Sequence, residues 1–440
     1  MSPRKYVPLF ISALLLTGLL LVYISESLDW DWNRTRLSDG ESPVIPASGM
    51  RWLPEQSELH ISLAVPARDF GVLQARTEAF MIRYPHIRVE LTNESPSSNR
   101  YESVVERSTQ GSVPDVMLVN NGWVIPLAVQ GFLKPIDSLM SGDSLSDQLP
   151  GLLEPMKWNG YLWGAPRGID PYIFAWNKPL LEQYGMAKPP SDWTAFLELA
   201  DRIAAAQEDE QGKRVALTSF APGGLLQLLL WTERFDAAAG SLLQLRSLSD
   251  AQLSMLAELQ ARSSLVESMP IGQAQKLDPV IADNRILLLL LPWSDYDKLS
   301  ESAKEHLLVE HEYVPTPWLS GSSFVIGAAT EHEEDAMLWI QEMTNAAVGM
   351  EELLKERKLP VRASLYDSPD GLLAQTVETP PDWWLRVLNE KSAEPASYHP
   401  DPDWPLRWKA WQEAWVDGAE NETRFRDFAD AIEALNPASK

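Results

Sequence analysis

The folded part of the chain opens with alternating apolar and polar residues from Leu59 to Val65, which predict a strand with one buried face. Apolar residues then recur at near-helical spacing from Asp69 to Tyr84, and Pro85 ends this predicted helix. A second strand is predicted from Ile87 to Thr92. This order of strand, helix and strand predicts the start of an α/β domain.

The same alternation of strand-like and helical patterns continues through the next forty residues. A helical stretch from Tyr101 to Gln110 precedes an apolar strand from Val116 to Val119. Another helix is predicted from about Trp123, and it stops near Gly131. Repeated β-α-β units predict a largely parallel sheet with helices against it.

A second series of strands and helices begins beyond residue 170. An extended run covers Tyr172 to Trp176, a helix is opened by Ser191, and a strand-like run covers Ile286 to Leu291. The consecutive leucines of this last run are too few to span a membrane, and Pro292 closes them, so they predict a buried strand. With 440 residues, the chain is long enough for two compact α/β lobes.

The N-terminal segment predicts export from the cytoplasm. Basic residues precede an uncharged, leucine-rich run from Val7 to Ile24, whose length suits either a membrane span or a long signal peptide. Residues 1–28 therefore form a retained anchor or a cleaved signal, and Ser25-Glu26-Ser27 is only a weak cleavage site. The positive charges place the bulk of the chain outside the cytoplasm. Residues 29–57 are polar and aperiodic, which predicts a flexible linker.

Charge and cysteine content exclude several classes of protein. The 37 Lys and Arg residues face 62 Asp and Glu residues, and the resulting net charge of -25 would repel nucleic acid. The absence of cysteine excludes disulfides, thiolate metal sites and cysteine nucleophiles. It also excludes anchoring through a lipid-modified N-terminal cysteine.

The usual catalytic signatures are missing from the sequence. It contains no P-loop, no dinucleotide-binding glycine motif, no nucleophile elbow and no His-Glu-x-x-His helix. His306 and His311 are the closest histidine pair, and their spacing puts them on different helix faces. No metal, cofactor or catalytic residue is therefore predicted. Paired carboxylates can be distant in sequence, so an extracellular carbohydrate-active enzyme stays open as an alternative.

Five segments, in the same order along the chain, resemble elements of the family 1 extracellular solute-binding proteins, the sugar-type receptors of bacterial ABC importers. The resemblance covers almost all of residues 58–435. Its most specific part is a Gly-x-x-Tyr/Trp-Gly-x-Pro pattern followed by Tyr-Asn-Lys, in which Trp176 replaces the usual Tyr. In the last segment Arg or Lys replaces the usual Gly of a Gly-x-Leu-Pro-x-Arg-x-Ser element. The five segments are Phe80–Leu91, Pro114–Asp137, Trp158–Trp193, Arg285–Tyr296 and Arg357–Pro369.

The resemblance implies a two-lobe, class II periplasmic-binding-protein-like fold, with a mostly parallel sheet flanked by helices in each lobe. By correspondence, lobe one holds residues 58–168 and 315–357, and lobe two holds residues 169–314 and 358–440. The implied function is capture of a small polar solute, a sugar or oligosaccharide, and its delivery to the permease subunits of an ABC importer. We expect a monomer on the extracellular face of the membrane. A surface sensor that presents ligand to a sensor kinase is the alternative.

Sugar sites combine flat aromatic surfaces with paired polar side chains, and this chain has 18 tryptophans. Trp293 corresponds to the stacking tryptophan of the family and follows an apolar strand, where clefts of α/β sheets open. Its alternative place is the core. Asp170 lies at the first crossing between lobes, where the family often carries an acid that bonds sugar hydroxyls. Arg167 either faces the ligand or pairs with Asp170.

The first lobe supplies a second group of candidate ligand residues. Asn120, Asn121 and Trp123 follow a predicted strand and occupy the binding loop by correspondence, although an Asn-Gly turn with a packed tryptophan is the alternative. Trp231 resembles a second-lobe aromatic near the cleft, while its leucine neighbours favour core packing.

The C-terminal tryptophans form a third group. Four of them recur at helical spacing and predict the buried face of a helix. The family also has a stacking aromatic in this region, and either Trp384 or Trp404 corresponds to it. The four are Trp404, Trp408, Trp411 and Trp415.

Overall fold

Two β-sheets, one in each lobe, form the framework of the part of the chain that the structure describes. The predicted membrane segment and the linker up to residue 55 lie outside that part. Among the helices that are described, none is long and apolar enough to cross a membrane. The computed structural model describes residues 56–95, 100–138, 147–206, 214–236, 242, 246–314, 316–344, 357–366, 380–389 and 401–435.

The strands divide between the two sheets and a small hairpin. In chain order they are β1 (Ser57–Leu63), β2 (Ile87–Asn93), β3 (Val116–Asn120), β4 (Leu133–Lys134), β5 (Lys157–Trp158), β6 (Tyr161–Leu162), β7 (Ala165–Ile169), β8 (Tyr172–Asn177), β9 (Ala216–Ser219), β10 (Val266–Glu267), β11 (Ile286–Pro292), β12 (Leu307–Val309) and β13 (Gly321–Gly327).

The helices lie between these strands and continue beyond them at the C-terminus. They are α1 (Ala67–Arg83), α2 (Tyr101–Thr109), α3 (Asn121–Val129), α4 (Pro150–Leu153), α5 (Lys178–Gln183), α6 (Trp193–Ala206), α7 (Leu225–Phe235), α8 (Asp250–Ala261), α9 (Ala274–Ala282), α10 (Trp293–Asp297), α11 (Glu301–Glu305), α12 (Glu333–Thr344), α13 (Trp383–Asn389), α14 (Trp404–Asp417) and α15 (Arg424–Leu435).

The first sheet has the spatial order β2, β1, β3, β13 and β4, and β7 also pairs with β13. Its first three strands run parallel, as the β-α-β pattern predicts, with Ile61 of β1 opposite Val116 of β3. β13 runs antiparallel to β3 and β7, because the chain re-enters this lobe from the other one. The hairpin of β5 and β6 turns at Asn159 and Gly160, whose φ angles are 53° and 81°.

The second sheet has the order β10, β9, β11, β8 and β12. Its first three strands run parallel, and β8 and β12 are antiparallel to their neighbours. Every residue of β11 is buried, which explains its unbroken apolar sequence and confirms that its leucines form a strand.

The chain passes between the sheets over short connections. Only Asp170 and Pro171 separate β7 in the first sheet from β8 in the second. The return passage runs from the end of β12 to the start of β13. A bridge between Ile169 and Leu359 then ties the segment after α12 to the end of β7. These connections confirm the predicted two-lobe α/β fold. Each sheet is mixed rather than mostly parallel, because the strands next to the connections between the lobes pair antiparallel with their neighbours.

The elements predicted in the sequence are confirmed, and local hydrogen bonds explain the small shifts in their ends. α3 begins at Asn121, two residues before the predicted start, because the side chain of Asn120 accepts a hydrogen bond from the Gly122 N–H (2.8 Å). The sequence predicts that α6 opens at Ser191. In the structure the next residue, Asp192, caps it, because its carboxylate accepts a hydrogen bond from the Ala195 N–H (3.0 Å). The helix predicted for the C-terminal tryptophans is α14.

Candidate functional site

The crossing from β7 to β8 is joined by hydrogen bonds to the start of α10. Ser294 donates twice to the carboxylate of Asp170, from its N–H to Oδ1 (2.8 Å) and from its Oγ–H to Oδ2 (2.6 Å). The Trp293 N–H donates to the carbonyl oxygen of Pro171 (2.9 Å), and the Asp170 N–H donates to that of Ser320 (2.8 Å). The β7–β8 connection, the start of α10 and the residue before β13 therefore meet where the lobes join.

We call the side chains at this point the crossing cluster. It combines one carboxylate with one hydroxyl, one phenol and three indole rings. Its members are Asp170, Tyr172, Trp293, Ser294, Trp383 and Trp384.

The carboxylate of Asp170 is largely buried within this cluster. Burial raises its pKa, although the two hydrogen bonds from Ser294 and the positive charge of Lys358 act in the opposite direction. The negative charge of Asp295 raises it further. Since each carboxylate oxygen has two acceptor positions, Ser294 leaves one on each oxygen. Asp170 can therefore accept hydrogen bonds from a hydroxylated molecule while its own position stays fixed.

The indole rings of the cluster contact one another closely. Trp383 stacks on Trp384 with their ring centres 4.2 Å apart, and Trp293 meets these rings edge-on at 5.9 and 5.4 Å. Trp293 is 5 % exposed and Trp384 is fully buried, whereas Trp383 is half-buried. The accessible aromatic surface of this group therefore belongs mainly to Trp383, which the sequence did not single out.

Tyr172 is the other residue of the cluster that sequence reasoning missed as a site residue. It is the first residue of β8, half-buried, and two positions after Asp170. Burial raises the pKa of its phenol, and the nearby carboxylates of Asp170 and Asp295 add to the effect. Its position directly after the crossing could have pointed to it. The start of antiparallel β8 lies beside the carboxyl end of β11, the edge of the sheet where ligand clefts open.

The adjacent asparagines of the first-lobe loop have different environments. Asn120 is exposed at the end of β3 and caps α3. Asn121 is 2 % exposed, and its amide donates to the Trp318 carbonyl oxygen (2.7 Å) and accepts from Ser323 Oγ (2.7 Å). Trp123 is half-buried and packs edge-on against Tyr101 at 5.8 Å. Asn120 is thus the asparagine with accessible polar atoms, and Asn121 joins the loop to β13.

Trp231 lies in the core of the second lobe. It is fully buried and contacts a group of aromatic rings at centre-to-centre distances of 5.3 to 6.1 Å. Its neighbours leave no ring surface for a ligand, so the structure separates it from the crossing cluster. The alternative drawn from its leucine neighbours, that Trp231 packs in the core, is therefore the one the structure supports. The group consists of Trp193, Phe196, Phe220 and Phe235.

Trp404 contacts both lobes but has little free surface. Its Nε1–H donates to the Leu242 carbonyl oxygen in the second lobe (2.9 Å), and its ring stacks on Trp408 with centres 5.4 Å apart. The ring also lies directly against Gly122 in the first lobe. It is 5 % exposed. Of the two C-terminal candidates, only Trp384 belongs to the crossing cluster.

The described residues give no sign of a metal centre. Within those ranges, no group of three or more His, Asp or Glu side chains has the geometry to hold a metal ion.

Arg167, which the sequence suggested as a residue that faces the ligand or pairs with Asp170, is half-buried in β7.

The comparison with known protein families agrees with this architecture. A family described as bacterial extracellular solute-binding protein matches residues 66–254. This part of the chain, less than half of its 440 residues, matches the bacterial extracellular solute-binding proteins. This match confirms the family resemblance seen in the sequence, over the first lobe and the start of the second.

Curated relatives match a shorter stretch of the chain. Binding proteins of Brucella abortus (strain 2308) and Brucella suis biovar 1 (strain 1330) are each 26 % identical over 102 residues. The match covers 23 % of this chain and 25 % of the relative, so it spans about a quarter of the relatives' length.

Solved structures of solute-binding proteins share the whole fold. Maltose-bound MalE3 of T. maritima is 18 % identical, with a TM-score of 0.56 over 86 % of this chain and 100 % of its own. The sugar-binding protein MalE of Xanthomonas citri is 15 % identical, with a TM-score of 0.59 over 87 % and 98 %. A solute-binding protein of Agrobacterium vitis S4 with bound D-mannitol is 16 % identical, with a TM-score of 0.58 over 87 % and 98 %. At these identities the likeness shows the two-lobe fold.

Proposed function

We propose that this protein captures a small polar solute, a sugar or short oligosaccharide, between its lobes and delivers it to the permease of an ABC importer. The observation that carries the proposal is the crossing cluster, where a fixed carboxylate lies beside indole rings at the junction of the lobes. Sugars present apolar C–H faces and rings of hydroxyl groups. Aromatic surfaces and carboxylate acceptors complement these two features.

The roles follow from the accessible atoms. Asp170 accepts hydrogen bonds from solute hydroxyls at the positions that Ser294 leaves open. Trp383 offers the ring surface, and Trp293 and Trp384 support it from behind. Asn120 and Trp123 contribute from the first lobe across the cleft. Asn121, Trp231 and Trp404 hold the surrounding structure in place.

Several solute-binding proteins of the same fold support a carbohydrate-like ligand. The T. maritima structure is bound to maltose, the A. vitis structure to D-mannitol, and one from Thermotoga lettingae to α-D-tagatose. All three ligands are polyhydroxylated and uncharged. This chemistry also suits the strong negative charge of the chain, which would repel anionic solutes.

Capture in this proposal depends on movement of the lobes about the crossing. A solute that contacts both lobes binds the closed arrangement more tightly and so shifts the population toward it. The connections between the sheets bear the movement, and Asp170, which lies in one of them, contacts the solute. Binding and closure are thereby coupled at one place, and no catalytic step is assigned. The proposed site of action is outside the cytoplasm, with the N-terminal segment serving as anchor or signal.

The proposal is tested by thermal unfolding of the purified protein with maltose, D-mannitol and D-tagatose over a range of concentrations. A ligand present at one hundred times its Kd should stabilise the native state by about 2.7 kcal/mol. We expect a saturable rise in Tm with at least one of these ligands, no reaction product by chromatography, and loss of the rise in Trp383→Ala. Ligand turnover would instead favour the carbohydrate-active enzyme.

The control is Tyr161→Ala, which removes an exposed aromatic ring from the β5–β6 hairpin. Since this ring lies outside the crossing cluster, the variant should retain the full ligand-dependent rise. Absence of a saturable shift with every ligand in the panel would contradict a carbohydrate receptor and would favour a non-sugar solute.

A further inference from the structure

The C-terminal helix α14 is rooted in the second lobe. Trp411 and Trp415 are buried, and the Nε1–H of Trp415 donates to the Ala221 carbonyl oxygen (3.3 Å). The side chain of Gln412 donates to the Gly223 carbonyl oxygen (2.9 Å). The second half of the helix is therefore fixed to the loop between β9 and α7.

The first half of the same helix reaches the first lobe. Nζ of Lys409 lies 2.6 Å from a carboxylate oxygen of Glu102. Just before the helix, the Pro402 carbonyl oxygen accepts a hydrogen bond from the Tyr101 hydroxyl (3.2 Å). Since neither first-lobe residue belongs to a connection between the sheets, these contacts join surfaces that would separate when the lobes open.

Trp404 packs directly against the first lobe at Gly122. A Cβ atom placed on Gly122 would lie 2.7 and 2.9 Å from the Cζ3 and Cη2 atoms of the indole. The same indole donates to the second-lobe Leu242 carbonyl oxygen. Trp404 therefore fills the space between the lobes at this point, and only glycine at position 122 lets it do so.

These contacts all lie along the edge of the sheets where ligand clefts open. Tyr101 and Glu102 begin α2, the next helix after β2, and Gly122 lies two residues beyond the end of β3. Ala221 follows the end of β9 in the second lobe. In α/β folds the cleft lies at the carboxyl ends of the parallel strands. The helix thus spans one end of the cleft rather than the back of the molecule.

The ion pair has the charge states that such a contact needs. Burial acts to raise the pKa of Glu102, but the hydrogen bond and charge of Lys409 outweigh it, and the pKa is lowered overall. The hydrogen bond to Glu102 raises the pKa of Lys409. Both groups are therefore charged at neutral pH and attract one another.

We infer that α14 is a strap that favours the closed arrangement of the lobes through Trp404 against Gly122 and Lys409 against Glu102. The inference rests on the proposed function only for its effect on ligand binding. If the closed form alone binds tightly, the apparent Kd is the intrinsic Kd divided by the closed fraction. Loosening the strap should weaken the binding of every ligand by the same factor.

The test is charge reversal across the strap, read first without ligand. The chain has no native cysteine, so dyes can be attached at Ala79→Cys in α1 and Ser254→Cys in α8, one exposed site in each lobe. We expect Lys409→Glu and Glu102→Lys each to lower energy transfer between the dyes. The double variant should restore it, since the pair is re-formed with opposite orientation. The matched control reverses Lys157 and Glu154, a pair 2.8 Å apart near the β5–β6 hairpin, and should leave energy transfer unchanged.

The indole contact is tested separately with Gly122→Ala. The added methyl group collides with Trp404 and should lower energy transfer in the same way. Gly71→Ala is the control, because a Cβ at this exposed helical position meets nothing within 4 Å. Unchanged energy transfer in the single charge reversals or in Gly122→Ala, or failure of the double reversal to restore it, would overturn the strap.

The effect on binding is measured with the ligand of the panel that raises the Tm. The single reversals should raise its Kd about twofold to fivefold, the range expected for an exposed ion pair. If no ligand of the panel binds, the proposed function fails while the ligand-free energy transfer still decides the strap. A changed energy transfer with an unchanged Kd would overturn the link between strap and affinity.

Discussion

Removal of the Ser294 hydroxyl is the sharpest test of how the crossing is held together. Ser294→Ala deletes the Oγ–H that donates to Asp170 Oδ2 at 2.6 Å and leaves the N–H donation to Oδ1 intact. A hydrogen bond to a charged group contributes about 1.5–3 kcal/mol, and this one is made to a largely buried carboxylate. We expect the free energy of unfolding at pH 7 to fall within that range.

The pH dependence of this loss follows from the raised pKa of Asp170. Because folding raises the pKa of Asp170, protonation of this carboxyl stabilises the folded state. This stabilisation is fully present below the ordinary pKa of 3.8 and is lost as the pH rises through the pKa in the folded protein. Ser294 compensates by stabilising the ionised form. Its removal should therefore cost most at pH 7 and less near pH 4, where the folded state is increasingly protonated.

Urea unfolding at both pH values measures these differences. The chain contains a matched control in Ser364, which donates to Asp147 from its N–H (2.8 Å) and its Oγ–H (2.7 Å) in an exposed setting. Because water can replace that exposed bond, Ser364→Ala should cost less than about 1 kcal/mol. Equal losses in the two variants at pH 7, or a Ser294→Ala loss independent of pH, would refute the role assigned to burial of Asp170.

Three further predictions separate binding from stability. Trp383→Ala should weaken ligand binding by about tenfold in calorimetric titration, with little loss of stability. Trp231→Ala should instead lower the free energy of unfolding by about 3–5 kcal/mol in urea. The reverse pattern would contradict the assignment of Trp383 to the site and of Trp231 to the core. Gly321→Ala should destabilise the fold, because a Cβ there lies 2.6–2.8 Å from three atoms, and an unchanged urea midpoint would show that the neighbours yield. Arg234→Met should lower the free energy of unfolding by about 3–5 kcal/mol, because it leaves the charge of Glu310 without its partner and these side chains are only 15 % and 12 % exposed. A loss below about 1 kcal/mol would show that Glu310 is solvated.

The regular elements were readable from the sequence because each depends on spacing within a short segment. Alternation over Leu59–Val65 and helical spacing over Asp69–Tyr84 come from burial of one face of a strand or helix, and the structure places β1 and α1 there. The unbroken leucines of β11 follow from burial on both faces. The order of the strands and helices then limited the fold to two α/β lobes.

The contents of the candidate site could be predicted only in part. Asp170 and Trp293 stood out because each lies at a strand end in a segment that resembles a known family. Ser294, which fixes Asp170, is 124 positions away in the chain, and nothing local marks it as a partner. Trp383 was passed over in favour of its neighbour Trp384, since a pair of adjacent tryptophans does not show which ring is covered.

Local sequence pattern by itself determined which segments of this protein become strands and helices, and that they build two lobes, because periodic burial leaves its period in the sequence. The environment of each polar or aromatic side chain was decided only by the tertiary structure. Asn120 and Asn121 are adjacent and chemically identical, yet one is exposed and the other binds Trp318 and Ser323 inside. The same holds for Trp231, Trp384 and Trp404. The surfaces that cover each ring come from separate segments of the chain, which only the folded structure brings together.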